Sequence, residues 1–250
     1  MVAPGHRRPA VEAVRLYLRE NPPPKAPAAP SPEIKARSYS ALYVTPILAC
    51  IHQAIKPGYE HRVFVKTFGA DASGILEGDL YRCVTALLLH QDWSHVVNNM
   101  AGLLLFGTVT VSACGWGVAW MLVLFSGAAG NLITALWYRQ DHISIGASTA
   151  VFGALGLCVA FNLWRYARSV RPTWRMWLPL AAGLALLGFL GGSPHTDLMA
   201  HLAGFFCGLA LGAAYGAFFT RPPGFAAQCA AAAAAIVVVI VSWLWGGYWS

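Results

Sequence analysis

The chain has 250 residues, of which 57% are hydrophobic and only 11% are charged. Soluble domains carry about 25% charged residues because a folded surface must be solvated, so this composition excludes a disordered chain, a coiled coil and an ordinary soluble enzyme. The formal net charge of +7 comes from few charged residues, which is more typical of membrane topology than of nucleic-acid binding. The sequence therefore predicts an all-α polytopic membrane protein.

Residues 1–38 are polar and proline-rich, and they contain no apolar stretch suited to a signal peptide or a membrane span. Within them, residues 10–20 fit either a short amphipathic helix on lipid headgroups or a solvated, loosely ordered tail. We expect a cytoplasmic N-terminal tail, followed by a core at 39–220 and an extra C-terminal transmembrane helix within 221–250.

Apolar blocks then follow in quick succession and predict seven membrane-spanning helices. They lie near residues 40–56, 95–113, 116–138, 146–164, 175–192, 199–219 and 226–246. The segment 57–94 between the first two is mixed in character and predicts a structured loop with short interfacial helices. Four aromatic side chains are expected to anchor this loop at the membrane interface. They are Phe64, Phe68, Tyr81 and Trp93.

Lysine and arginine are distributed unevenly between the two sides that these spans define. With the N-terminus inside, only five of the 17 basic residues lie in outer segments. They are Lys56, Arg62, Lys66, Arg82 and Arg139. Because cytoplasmic loops carry the excess of basic residues, we expect a cytoplasmic N-terminus in a multi-pass plasma-membrane protein. The alanine- and proline-rich, serine-poor tail and the extra span favour a bacterial inner membrane.

This topology places polar residues from three separate spans at one depth, just beneath the outer face. They are His90, His95 and Asn99 at the second span, Ser148 at the fourth and His201 at the sixth. Taken singly, the serine fits a helix cap, each histidine fits an interfacial residue, and the asparagine fits a contact between helices. Polar groups are costly in lipid and tend to face the bundle interior, so their shared depth favours a common functional site.

Helical spacing brings two of these residues together. Glycines recur every four residues over 204–216 of the sixth span, which lets another helix approach closely. On the fourth span, Ser148 and Phe152 share a face in the same way. Packing of these two stripes would bring Ser148 towards His201, which gives a serine nucleophile a histidine base.

Other features of this layer suit acyl transfer. Ser148 falls in the first turn of a helix, where free N–H groups and the helix dipole favour negative charge. His95 and Asn99 lie on one helix face and are candidate donors for an oxyanion hole. No carboxylate is placed to complete a triad, since even Asp197 lies four residues before His201. The arrangement favours a Ser–His dyad.

Three motifs together resemble the rhomboid intramembrane serine proteases. They are His90-x4-His95-x3-Asn99 in the second span, Gly146-Ala147-Ser148 at the fourth and Ala200-His201-x2-Gly204-x3-Gly208 in the sixth. In this order and spacing the motifs are highly specific, whereas any one alone is weak. The resemblance covers roughly residues 40–220 and implies a rhomboid-like six-helix bundle, here with one extra C-terminal helix.

The resemblance implies a role for each matching position. Ser148 looks like the nucleophile and His201 like the base, and Phe152 matches the aromatic residue that stacks on the base. His95, Asn99 and the backbone N–H of Ser148 look like the oxyanion hole. The supporting positions are His90, Gly146, Gly204, Gly208 and Arg82.

Two positions depart from the family pattern. Thr149 stands where the family has glycine, and its branched side chain is expected to narrow the site. Tyr81 stands where tryptophan is usual, beside Arg82, in a pair that the resemblance implies to be structural. Neither change removes a reacting group, so the resemblance implies an active endopeptidase.

The activity implied is hydrolysis of peptide bonds in or next to transmembrane helices of single-pass proteins, near the outer face of the lipid bilayer. It requires no metal or organic cofactor. One alternative is a non-catalytic rhomboid-like protein that escorts membrane proteins, which is expected to lack Ser148 or His201. The other is a transporter or channel whose outer histidines bind a metal or relay protons, which predicts charged residues deeper in the spans.

Overall fold

The computed structural model describes residues 7–21, 39–55, 59–167, 174–178, 180–181, 183–185 and 197–249. The chain divides into two units, and the first of them contains helix α1 (Arg7–Glu20). This helix is amphipathic, and its described side chains are exposed. Of the two alternatives for this part of the tail, a helix or a loosely ordered segment, the structure shows the helix. All other described elements belong to the second unit.

The second unit is built from helices and one short antiparallel ladder. Its helices are α2 (Ser40–Ala54), α3 (Tyr59–Phe68), α4 (Ala72–Glu77), α5 (Arg82–Thr85), α6 (Trp93–Cys114), α7 (Trp116–Tyr138), α8 (Ser148–Ala167), α9 (Leu198–Phe218) and α10 (Phe225–Trp249). Within α6, Leu103–Gly107 forms a π-helical turn. Short 3₁₀ turns lie at Ala86–Leu88 and Trp174–Trp177. Strand β1 (Ala70–Asp71) pairs with β2 (Ile143–Ser144).

Among the described residues, four helices are long and apolar enough to cross a membrane. They are Trp93–Cys114, Trp116–Tyr138, Leu198–Phe218 and Phe225–Gly247, which match four of the predicted spans to within two residues at each end. Ser148–Trp164 forms a shorter apolar helix, and α2 has 15 residues around Pro46. Half of the predicted span 175–192 lies outside the described residues. The chain is therefore a polytopic helical membrane protein.

Helices α8 and α9 pack backbone against backbone. A Cβ atom at Gly204 would overlap the carbonyl oxygen of Thr149, and one at Gly208 would overlap the carbonyl oxygen of Gly153. The predicted close crossing is present, and Phe152 and Gly156 of the predicted stripe contact α9. Gly204 and Gly208, however, meet α8 one residue beyond that stripe, which starts at Ser148. Because of this offset Thr149 is fully buried in the seam, whereas Ser148 is only half-buried beside it.

The loop between α2 and α6 folds around the C-terminal end of α3. The four backbone carbonyls of residues 66–69 all accept hydrogen bonds from three side chains. Arg82 donates to the carbonyls of residues 66 and 69 at 2.8 and 3.4 Å. The Tyr81 hydroxyl donates to the carbonyl of residue 67 at 3.3 Å, and the Thr85 hydroxyl donates to that of residue 68 at 2.7 Å. The free carbonyls that any helix end leaves are thus satisfied within the loop.

Two of the four aromatic residues of this loop have a different role from the predicted one. Phe68 and Tyr81 are buried, and their ring centroids lie 4.5 Å from that of Trp243 and 6.4 Å from that of Trp245 on α10. For these two residues the prediction of an anchor at the membrane interface was wrong, because α10 covers them. Phe64 is partly exposed and Trp93 is 50% exposed, so for them the anchor stays a prediction.

Gln228 lies in the first turn of α10 and joins this helix to the turn between α6 and α7. Its side-chain oxygen accepts from the N–H groups of Gly117 and Val118 at 2.8 and 3.0 Å. Its nitrogen donates to the carbonyls of Cys114 and Pro223 at 2.9 and 3.2 Å. One buried amide thus satisfies the last carbonyl of α6 and the first N–H groups of α7, both of which lack partners within their own helices.

Candidate active site

His90 holds the backbone immediately before Ser148. The N–H of Ala147 donates to Nε2 of His90 at 3.3 Å, so the proton of the ring lies on Nδ1, which is 3.3 Å from the Leu88 carbonyl. Burial lowers the pKa of His90 to about 4, and the ring is therefore neutral at pH 7. A neutral ring can accept from one backbone group and donate to the other, which fixes the loop on both sides.

Gly146 brings the same loop against α6. Its φ of +122° requires glycine, and a Cβ atom there would lie 2.5 Å from His95 Nε2 and 3.6 Å from Asn99 Nδ2. His95 and Asn99 therefore both border the loop from one face of α6. Asp92 begins this helix by accepting a hydrogen bond from the N–H of His95 at 2.8 Å. The amide nitrogen of Asn99 is buried and has no partner among the described residues.

A ring stack one turn beyond the serine joins the helices that carry Ser148 and His201. Ser148 begins α8, and Phe152 follows one turn later on the same face. The rings of Phe152 and His201 stack with their centroids 4.3 Å apart and an interplanar angle of 28°. Within the described residues no hydrogen bond joins Ser148 to His201, and Nδ1 of the buried His201 is unpaired. Catalytic hydrogen bonds are often long until substrate binds.

Thr149 does not narrow the site in the way the sequence suggested. Its side chain is 1% exposed, and its methyl group lies against Gly130 of α7 and Gly204 of α9. A Cβ atom at Gly130 would lie 2.6 Å from this methyl carbon. The expectation was wrong because two glycines on neighbouring helices make room for the branched side chain inside the bundle.

The carboxylate closest in sequence to His201 has other partners. Asp197 caps α9 by accepting from the N–H of Ala200 at 3.0 Å, and its second oxygen lies 2.6 Å from Nε2 of His142. His142 was not among the candidate residues of the protease site, and the sequence pointed to it only as one of the histidines of the transporter or channel alternative. No local motif connects it to Asp197.

Comparison with known proteins identifies the fold family. Residues 77–218, which make up more than half of the chain, match the Rhomboid domain. The chain belongs to the rhomboid family. The match includes all three motifs that the sequence analysis singled out, and it ends at Phe218, the last residue of α9.

Individual relatives are similar over a little more than half of the chain. RHOMBOID-like protein 1 of Arabidopsis thaliana is 34% identical over 163 residues, which cover 61% of this chain and 41% of that protein. The putative rhomboid protease YdcA of Bacillus subtilis is 29% identical over 135 residues, which cover 54% of this chain and 66% of that protein. Rhomboid-type serine protease 2 of Emericella nidulans is 30% identical over 132 residues, which cover 53% of this chain and 26% of that protein. The chain thus spans less than two thirds of the length of each of these curated relatives.

Proposed function

We propose that this protein is an intramembrane serine endopeptidase that cleaves single-pass membrane proteins in or next to their transmembrane helices. The observation that carries the proposal is the stack of Phe152 on His201 at the crossing of α8 and α9. It leaves Ser148 one helical turn from that contact, at the open end of its helix. Family membership and the names of two relatives, a rhomboid protease and a serine protease, support the same activity.

In the first step Ser148 Oγ attacks the carbonyl carbon of the scissile peptide bond while His201 accepts the hydroxyl proton. A helix hides its carbonyls in its own hydrogen bonds, so the substrate must unwind locally to expose the bond. The tetrahedral intermediate collapses when protonated His201 gives its proton to the leaving amine. An acyl-enzyme on Ser148 remains, and the C-terminal product is released.

The negative charge of the intermediate develops at the start of α8. There the backbone N–H of Ser148 and the positive end of the helix dipole favour an anion. Asn99 offers a buried N–H donor that has no partner in the part of the chain that the structure describes, and His95 borders the same loop. We assign these three groups to the oxyanion hole, because donors that are fixed before the reaction stabilise the charge without reorganisation.

Water then hydrolyses the ester. His201 takes a proton from the water that attacks the acyl carbon and returns it to Ser148 Oγ, which restores the dyad. The excess of basic residues on the N-terminal side supports an orientation with that side in the cytoplasm. The site then lies near the outer face of the plasma membrane, from which water enters. The alanine- and proline-rich tail supports a bacterial inner membrane.

Cleavage by the purified protein in liposomes tests the proposed function. A single-pass substrate with a different tag on each side of its membrane helix should yield two fragments. A fluorophosphonate, which reacts covalently with activated serines, should stop the reaction and modify the peptide that contains Ser148, as read by mass spectrometry. If the protein forms no adduct and cleaves none of a panel of single-pass substrates, the non-catalytic alternative is favoured and the proposal fails.

Replacing Asn99 with alanine should lower kcat about 10- to 1000-fold, because one donor of the oxyanion hole is lost. Initial cleavage rates in liposomes measure the effect, and the melting temperature in detergent should stay close to that of the unsubstituted protein. The matched control is Asn98→Ala, which removes the same side chain from an exposed neighbouring position on α6 and should leave the rate unchanged. A normal rate for Asn99→Ala would remove Asn99 from the oxyanion hole.

A further inference from the structure

The segments that lead into Ser148 and His201 are connected outside the site by a short hydrogen bond between two side chains. Nε2 of His142 lies 2.6 Å from Oδ2 of Asp197. His142 precedes Ser148 by six residues, and Asp197 precedes His201 by four. The two side chains are 23% and 16% exposed, so water screens this contact less than it screens a surface pair.

Asp197 is attached to the helix of His201 by two further bonds. Its other carboxylate oxygen accepts from the N–H of Ala200 at 3.0 Å, and its backbone carbonyl accepts from the N–H of His201 at 3.1 Å. The residue is thus both the N-cap and the first hydrogen-bond acceptor of α9. Any shift of the Asp197 side chain is therefore transmitted to the first turn of α9, which carries the imidazole.

His142 is attached to the segment before Ser148 in the same way. Its ring stacks on Tyr138, the last residue of α7, with centroids 3.9 Å apart and an interplanar angle of 18°. Its carbonyl accepts from the N–H of Ala72 at 2.9 Å, next to the β1–β2 ladder. From this fixed point β2 leads directly into Gly146 and Ser148. The ring therefore has a defined position relative to the nucleophile loop.

We propose that His142 and Asp197 form a positioning pair that sets the separation of Ser148 and His201. The inference rests on the proposed function, since it assigns the pair to the same dyad. Neither residue takes part in the chemistry. A short hydrogen bond between a carboxylate and an imidazole resists stretching more than a neutral one, so it holds the start of α9 against the loop that carries the nucleophile.

Two substitutions break this pair and preserve the other contacts of each residue. Asp197→Ser keeps a capping oxygen for Ala200 but is too short to reach His142. His142→Phe keeps an aromatic ring on Tyr138 but has no nitrogen. Each should lower kcat about 10- to 100-fold, as expected when reacting groups are displaced, with KM nearly unchanged. The rate at which a fluorophosphonate modifies Ser148 should fall in parallel, and the melting temperature should show a folded protein.

A double variant and a control substitution at another helix cap distinguish an effect on the position of the reacting groups from a general loss of stability. Asp197→Ser combined with His142→Phe should be no slower than the slower single variant, because both remove the same contact. Asp71→Ser is the control, since it shortens the side chain that caps α4 in the same way. Asp71 pairs with β2 through its backbone, which this substitution keeps, so the variant should retain full activity. Normal kcat in both single variants, losses that multiply in the double variant, or a loss confined to KM would overturn the inference.

The same assay distinguishes failure of this inference from failure of the proposed function. If the unsubstituted protein cleaves, Ser148→Ala does not, and the His142 and Asp197 variants retain full activity, only the positioning pair is wrong. If Ser148→Ala still cleaves, the proposed dyad is wrong and the positioning pair falls with it.

Discussion

Ser148→Ala is expected to abolish cleavage of a single-pass substrate, with a loss of kcat of about 10⁴-fold or more. The substitution removes the atom that forms the acyl-enzyme, and no other hydroxyl in the Gly146-Ala147-Ser148 loop can replace it. His201→Ala should have a loss of similar size, because the hydroxyl is a poor nucleophile until a base accepts its proton. Initial rates in liposomes, with fragments separated on gels, measure both effects.

Residues of the same types outside the candidate site provide the controls for this experiment. Ser94→Ala removes a hydroxyl from an exposed position in the first turn of α6 and should leave the rate unchanged. His61→Ala removes a partly exposed imidazole from α3 and should do the same. Each inactive variant must reach the membrane in normal amount and keep its melting temperature. Substantial cleavage by Ser148→Ala would show that the nucleophile lies elsewhere.

Gly204→Val should disrupt the contact between α8 and α9 and remove activity together with stability. Its Cβ would overlap the backbone carbonyl of Thr149, and a backbone atom inside a packed seam cannot rotate away as a side-chain end can. Overpacking of this kind costs about 1–3 kcal/mol and more where the surroundings cannot yield. Even a partial separation of the helices would move His201 away from Ser148. Thermal unfolding in detergent and the cleavage rate measure the two effects.

Gly247→Val is the matched control for this prediction. Gly247 also lies within a helix, but a Cβ atom there meets no heavy atom within 4 Å. The two variants therefore share the change in helix propensity and differ only in packing. If Gly204→Val melted and cleaved like Gly247→Val, the close crossing of α8 and α9 would not be required for folding or activity.

The sequence specified the parts of this fold that depend on local composition. Long apolar runs between polar loops predict helices such as α7 and α10 closely, because a span needs about 20 apolar residues wherever it packs. The candidate site was also visible in the sequence, since its motifs keep fixed spacing within single helices. Spacing puts His95 and Asn99 on one face of α6 whatever the neighbouring helix.

The rotation of each helix about its own axis and the contacts between distant parts of the chain could not be predicted from the sequence in the same way. The glycine ridge predicted that α8 and α9 approach closely, but a repeat of four residues does not say which of two adjacent stripes enters the seam. In the structure Thr149 is buried between the two helices, whereas Ser148 remains half-buried. Gly117, which donates to Gln228, and His142, which contacts Asp197, lie 111 and 55 residues away from these partners in the chain, so no local pattern reveals the two contacts.

The amide of Gln228 has a consequence for the order in which the protein assembles. Gly117 leaves the ribosome 111 residues before Gln228, so the junction of α6 and α7 enters the bilayer without its final partner. Until α10 arrives, its backbone groups must remain in contact with water or headgroups, since unpaired amides are not tolerated in hydrocarbon. Docking of α10 completes the junction and, through Trp243, covers part of the loop between α2 and α6. The bundle formed by the preceding helices therefore keeps an incomplete junction until α10 has packed against it.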